Sequence, residues 1–209
     1  MKPGAVAFSF PVVQQICVLG DSIAAGFFDE EGLGWASRLS QKLAREFPLQ
    51  YGVQNASVSG DTTLDAWHTL NSHVTRLNPA ILIIALGVND VCVYEGVGPG
   101  VQACPWPDRI FMWHGMLDYV QKMGWKTLIV GPTAAGADIA RYPVRRGLLP
   151  QITGFRFEQA HIRRYNDDLQ KLCAERKVPF LRVFETWEQR LASSESLLGR
   201  RSPPKRPWP

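Results

Sequence analysis

The stretch AILIIALG, residues 80–87, is apolar almost without interruption, and no other feature restricts the fold of this chain as much. A strand with one wet face alternates in polarity. A strand buried on both faces does not, and burial on both faces is what helices packed over a parallel sheet produce. Further segments read as strands are QQICVLG (14–20), YGVQNASV (51–58), KTLIVGPT (126–133) and PFLRVF (179–184). Between them lie segments of helical period. GWASRLSQKLAREF (34–47) repeats Trp35, Leu39, Leu43 and Phe47 at helical spacing and stops at Pro48. TTLDAWHTLNSHVTRL (62–77), RIFMWHGMLDYVQKM (109–123), RFEQAHIRRYNDDLQKLCAERK (156–177) and TWEQRLASSESLL (186–198) read the same way.

Five strands alternating with helices predict an α/β fold: three-layer, doubly wound and flavodoxin-like, with a central, mainly parallel five-stranded sheet. Residues 1–198 are expected to form a single domain, and the sequence holds no internal repeat. Two segments, 92–108 and 133–155, fit neither period. Both are long, rich in Gly or Pro, and follow the C-terminal end of a strand. Ligands bind at that edge of an open α/β sheet, so these segments are candidate pocket walls.

The formal charge of +4 suggests a polyanion partner until it is located. Residues 199–209, GRRSPPKRPWP, carry four of the basic residues (Arg200, Arg201, Lys205, Arg206) and no acid, which leaves the body neutral. Nucleic acid is therefore not an expected partner. The tail itself is too Pro-rich and too poor in apolar periodicity to pack, and is expected to be disordered. No apolar run approaches the roughly 20 residues that span a bilayer, and the N-terminal stretch lacks a cleavage site, so a cytoplasmic protein without membrane insertion is expected. Cys17, Cys92, Cys104 and Cys173 have no metal-ligand spacing. Cys17 and Cys173 read as core residues; Cys92 and Cys104 bracket one loop, where a disulfide is sterically conceivable but disfavoured in a reducing compartment.

Three strand ends carry small polar motifs: Gly20-Asp21-Ser22, Ser59-Gly60-Asp61 and Gly87-Val88-Asn89-Asp90. Any one of them alone is most simply a turn or a cap. Together, each at the tip of a strand in one parallel sheet, they supply a serine hydroxyl and three converging donors. Those donors are the N–H groups of the serine and glycine and the asparagine amide, the inventory of an oxyanion hole for acyl transfer. The glycine-rich phosphate loops are absent, and no cofactor or metal is implied.

At this level the chain resembles the SGNH (GDSL-type) serine hydrolases, in particular the small bacterial esterases, thioesterases and lysophospholipases. LGDSIAAGF, NASVSGDTT and ALGVND are similar to that family's first three blocks, and EGLGWASRL to the segment that follows its serine. The resemblance covers roughly residues 14 to 185. It implies hydrolysis of a small-molecule carboxylic ester, thioester or lysophospholipid through an acyl-enzyme on Ser22. Ser22, Gly60 and Asn89 would form the oxyanion hole. Asp21 would shape the loop. A carboxylate beside the serine opposes alkoxide formation, so the proton must leave for a separate imidazole.

The family carries that imidazole in an Asp-x-x-His-Pro block after the last strand, and here the chain departs from the pattern. FETWEQRLASSESLLGRRSPPKRPWP contains neither His nor Asp. The four histidines, His68, His73, His114 and His161, all fall in helical segments. His161, whose helix follows the 133–155 loop, is the substitute to consider first. The tail has a second reading. With Arg written as CGN, the codons of residues 199–209 shifted by one nucleotide can spell Ala-Asp-Gly-Val-His-Pro-Asn-Gly-His-Gly, which restores the block in its place. Permissive third bases can spell many things, but the order and position match, and a frame-shifted end also accounts for the basic tail. The reading from another class is a ligand-binding module that keeps the pocket without the base. Pocket-lining candidates are Tyr94, Trp106 and Trp113, which could equally be core aromatics. Arg141, Arg145, Arg146 and Arg156 could meet an anionic leaving group or form a solvated loop face.

Overall fold

The computed structural model describes residues 12–27, 29, 31–98, 100–135, 141–143, 152 and 154–198. Strand β1 (Gln14–Gly20) leads into a one-turn helix α1 (Ser22–Ala25), then α2 (Gly34–Glu46) and β2 (Tyr51–Asn55). Next come α3 (Thr63–Thr69), a π-helical turn (Leu70–Val74), α4 (Thr75–Leu77) and β3 (Ile81–Ala85). The chain continues through β4 (Val93–Glu95), α5 (Trp106–Met123), β5 (Lys126–Val130), β6 (Arg141–Pro143) and β7 (Gly154–Arg156). It closes with α6 (Gln159–Glu175), β8 (Phe180–Leu181) and α7 (Phe184–Leu198).

The main sheet has the order β2-β1-β3-β5-β8, with every pair parallel. This is the doubly wound arrangement expected, with five strands in the main sheet. Alternation along β1 sends Cys17 and Leu19 to one face and Ile16 and Val18 to the other. The first pair joins Leu82, Ile84 and Ile129 under Met116 and Leu117 of α5 and Leu169 of α6. The second joins Ile83 under Ala36, Trp35, Leu39 and Leu43 of α2. Both faces of β3 and of the Ile16–Leu19 part of β1 are thus covered, which is why these residues are apolar without a break.

Several boundaries differ from expectation, each for a local reason. The segments 92–108 and 133–155 are not wholly irregular: β4, β7 and β6 pair antiparallel into a second, three-stranded sheet, with Tyr94 opposite Phe155 and Phe155 opposite Tyr142. Phe155 and Arg156 are therefore strand rather than the start of a helix, and Arg156 reaches across to Glu95 (3.7 Å). The strand expected over 179–184 shrinks to two residues. Arg182 grips Glu185 in the first turn of α7 (2.6 Å), which draws the helix start forward to Phe184. The helix over 62–77 carries a π turn, where the Thr75 hydroxyl donates to the Leu70 carbonyl (2.8 Å). Trp113 is a core residue, 1% exposed, and not a pocket wall. Cys92 and Cys104 are buried free thiols, as are Cys17 and Cys173. The N-terminal residues 1–11, Arg145, Arg146 and the tail 199–209 lie outside the described residues.

Gly20, the last residue of β1, marks where α1, the β2 tip and β3 meet. A Cβ placed there would stand 2.8 Å from Ala24 Cβ, 2.9 Å from Ser57 Oγ and 3.0 Å from the Ala85 carbonyl oxygen, atoms that belong to α1, the β2 tip and β3. Only a residue without a side chain lets the three segments close on one point. Gly20→Ala is expected to cost about 1–3 kcal/mol by overpacking. For a chain of this size that lowers Tm by roughly 2–12 °C, measurable by thermal melts, and an unchanged Tm would show that the tips are not closely packed.

Candidate active site

The local sequence explains how Ser22 is presented. Asp21 is extended (φ −104°, ψ −157°) and caps α1, its Oδ1 accepting the Ile23 N–H at 2.9 Å. Ser22 is therefore the first residue of the turn, half-buried at the C-terminal edge of the sheet. Among the described residues nothing bonds its hydroxyl, and no acceptor takes its backbone N–H.

The second tip lies alongside. Val58 N–H donates to the Gly20 carbonyl (3.0 Å), and the Asn55 side chain donates to the Ala24 carbonyl (3.0 Å), so the β2 tip is laced to both sides of Ser22. Gly60 follows with φ +90°, a left-handed conformation natural to glycine, and open space where a side chain would stand. Its N–H, like that of Ser22, has no acceptor among the described residues. Behind it a capping box starts α3: Thr62 accepts from the Asp65 N–H (3.4 Å), and the Asp65 carboxylate accepts from the Thr62 N–H (3.0 Å). The third tip is tied to the second, because Asn89 Nδ2 donates to the Asp61 carbonyl at 2.9 Å. An amide nitrogen has two protons, so one remains for a ligand. The chain of contacts Gly20–Val58 and Asp61–Asn89 brings Ser22, Gly60 and Asn89 to one sheet edge, as the motifs anticipated.

Carboxylates dominate the surroundings. Burial pushes Asp21 up to about 7, with the charges of Asp90 and Asp61 adding to the effect. Burial and then Asp65 push Asp61 up to about 6. Asp90, wholly buried, is also raised by burial, against the lowering effect of the Thr63 and Tyr165 hydrogen bonds and of Arg109. Asp90 is the residue that reading by motif overlooked. In the sequence it is only the last letter of a block, yet Thr63 N–H (2.7 Å), the Thr63 hydroxyl and the Tyr165 phenol (2.7 Å) all donate to it.

The histidines are engaged elsewhere or exposed. His161 Nδ1 sits 3.5 Å from Gln102 Nε2 and 3.5 Å from Glu158 Oε2. His114 Nδ1 accepts from Arg176 (2.8 Å), and His68 and His73 lie on the surface of their helix. Arg156 is paired with Glu158 (2.8 Å). Tyr94 and Trp106 are half-buried. Trp106 stacks under the Arg109 guanidinium at 5.1 Å. No group of metal-ligating side chains is assembled among the described residues, and no helix there is long and apolar enough to cross a membrane.

Known proteins share the fold. The model of the GDSL-like Lipase/Acylhydrolase family matches residues 18–201, and the chain belongs to that family. Over 77 residues it is 39% identical to Esterase TesA of Pseudomonas aeruginosa, a match covering 37% of this chain and 38% of that protein. An arylesterase of Vibrio mimicus matches at 35% over the same length, again 37% of this chain and 38% of the relative. The matched stretch thus spans well under half of either relative. The crystal structure of the acetyl xylan esterase AlAXEase superposes with a TM-score of 0.64 at 20% identity, over 88% of this chain and 83% of that one, a likeness of fold.

The raised Asp21 has a consequence for stability. In the folded state it holds a proton up to about pH 7 that the unfolded chain releases near its ordinary value. The folded state therefore binds more protons through that window, and stability from this group falls as pH rises toward 7. Asp21→Asn keeps the capping oxygen and removes the titration. Its Tm advantage over the parent should grow between about pH 4 and 7 and then level off. A pH-independent difference would show that Asp21 titrates as an ordinary surface carboxylate.

Proposed function

We propose that the chain is a carboxylic ester hydrolase that forms an acyl-enzyme on Ser22, its tetrahedral intermediate held by the N–H groups of Ser22 and Gly60 and by the Asn89 amide. One observation carries the reading. A serine hydroxyl and two backbone N–H groups, all unengaged among the described residues, share a sheet edge with an amide tethered to the same loop. Donors held in place before charge develops need no reorganisation when the oxyanion forms. The esterase names of the relatives support the same chemistry. Small-molecule esters are the proposed substrates, with thioesters and lysophospholipids the extensions to assay. A series of p-nitrophenyl esters of increasing chain length, with matched thioesters, sorts these. Ser22→Ala should abolish turnover and labelling by a fluorophosphonate, and Asn89→Ala should lower kcat by about 10²–10³ while lowering Tm only by the few degrees that its hydrogen bond to Asp61 is worth.

The base is the missing element. The Ser22 hydroxyl has no imidazole partner among the described residues, and residues 185–209 contain no histidine. We read the sequence from Gly199 as a frame-shifted form of the family's Asp-x-x-His-Pro block, and the family match runs out at residue 201, just inside that segment. The chain with its present tail should then be a weak hydrolase, relying on binding and oxyanion stabilisation, which in serine proteases retain roughly 10³–10⁴-fold over water. Replacing the tail by the alternative-frame sequence should raise kcat by several orders of magnitude with a smaller change in KM. Equal turnover before and after would refute the frame-shift reading and point to a histidine already present, with His161→Ala the first substitution to make. Inactivity toward both esters and the fluorophosphonate, with either tail, would favour the ligand-binding module.

A further inference from the structure

Beneath Asn89 lies a buried polar cluster that the acyl-transfer reading does not use. Asp90, Thr63, Trp113 and Tyr165 are each at most 1% exposed. The Tyr165 phenol donates to Asp90 Oδ2 (2.7 Å) and accepts the indole N–H of Trp113 (2.5 Å). Thr63 donates to the same carboxylate through its N–H (2.7 Å) and its hydroxyl. The Tyr165 ring lies so close to Gly87 that a Cβ there would collide with its Cε1, and the Arg109 guanidinium covers the ring at 5.1 Å. Arg109 in turn donates to the Cys104 carbonyl (3.0 Å) and to Gln102 Oε1 (3.0 Å), while the Cys104 N–H donates to the Asp90 carbonyl (3.1 Å). Four elements, α3, α5, α6 and the 92–108 loop, therefore converge on the residue next to Asn89.

We propose that Tyr165 is a positioning residue for the Asn89 donor: its phenol, oriented by Trp113, fixes the Asp90 carboxylate and through it the aim of the Asn89 amide. Packing alone does not require this arrangement. A phenylalanine would fill the same volume against Gly87, whereas the hydroxyl serves only the hydrogen bonds to Asp90 and Trp113 and the close approach to Thr63. A buried network with every member bonded is rigid, and removing one partner leaves the others free to move or unsatisfied. An amide one residue away is the group that such motion would misdirect.

The inference rests on the oxyanion role given to Asn89, and its test separates the two. In ¹⁵N-labelled protein the side-chain amide pair of Asn89, identified by its loss in Asn89→Ala, should shift or broaden in Tyr165→Phe. It should stay in place in Tyr119→Phe, which removes a phenol from α5 that meets Thr75 at 2.9 Å. With the tail-repaired protein, kcat per titrated active site should fall about ten- to a hundred-fold in Tyr165→Phe with KM within about two-fold. Asn89→Ala added to Tyr165→Phe should then cost much less than it does alone. If Tyr165→Phe does not fold, Thr63→Ala, which removes the other hydroxyl on Asp90, is read in the same way. An Asn89 amide signal unmoved in the folded variant, or losses that simply multiply, overturns the positioning role. An amide that moves in a protein showing no Ser22 chemistry would instead overturn the hydrolase reading and leave the structural coupling standing.

Discussion

β1 is the strand from which the site hangs. β2 and β3 pair with its two edges, both parallel, with Val18 opposite Asn55 on one side and Ile83 on the other. Parallel neighbours send their C-terminal ends to the same side of the sheet, so whatever follows the three strands must meet there. The order β2-β1-β3 places the serine turn in the middle, flanked by the other two tips. Convergence of Ser22, Gly60 and Asn89 is in this sense a property of strand order, sharpened by the crowding at Gly20 that brings the segments together. A helix-first or antiparallel arrangement of the same motifs would scatter them.

The electrostatics then decide what kind of base the chemistry needs. Asp21, Asp61 and Asp90 surround the serine turn, and burial raises all three above the ordinary carboxylate range. A carboxyl that still holds its proton cannot accept another, and each one that does ionise opposes a serine alkoxide. Among the described residues Arg109 is a buried cation, and its charge lowers Asp90 against the raising effect of burial. The backbone donors can stabilise an oxyanion once it exists, but they cannot take the proton whose removal creates it. An imidazole, which becomes cationic on accepting that proton, works with the negative surroundings instead of against them.

The main sheet and the three motif tips were legible in the sequence because both depend on local pattern. The apolar runs ICVL and AILIIAL identified β1 and β3, and the helical spacing of Trp35, Leu39 and Leu43 identified α2. What could not be read depends on partners remote in sequence. β4, β6 and β7 are three-residue strands whose pairing joins two separate loops. No periodicity develops over so short a run. Asp90 and Tyr165 are 75 positions apart, and nothing in either segment announces their hydrogen bond. Trp113 showed the opposite ambiguity: an aromatic near a loop fits a pocket wall or a core, and its indole N–H, bonded between α5 and α6, settles it as core. The early start of α7 follows from the Arg182–Glu185 pair, a side-chain interaction that competes with extending an edge strand.

The architecture also separates folding from proton transfer. The buried core is assembled from β1, β3 and β5, their covering helices, and the Phe184 anchor at the head of α7, with Phe180 and Leu191 packed against its margin. β8, the strand after which the family keeps its base, pairs along one edge only, through Phe180 and Leu181. A base delivered from beyond this edge contributes to the reaction without being needed to hold β1, β2 and β3 together. The proposed oxyanion donors have the opposite status: they are backbone groups and a tethered amide at the strand tips, held by contacts between those tips. On the proposed mechanism, loss of the base would leave the serine and its donors in place, whereas loss of the donors without loss of structure would require a change as local as the Asn89 side chain.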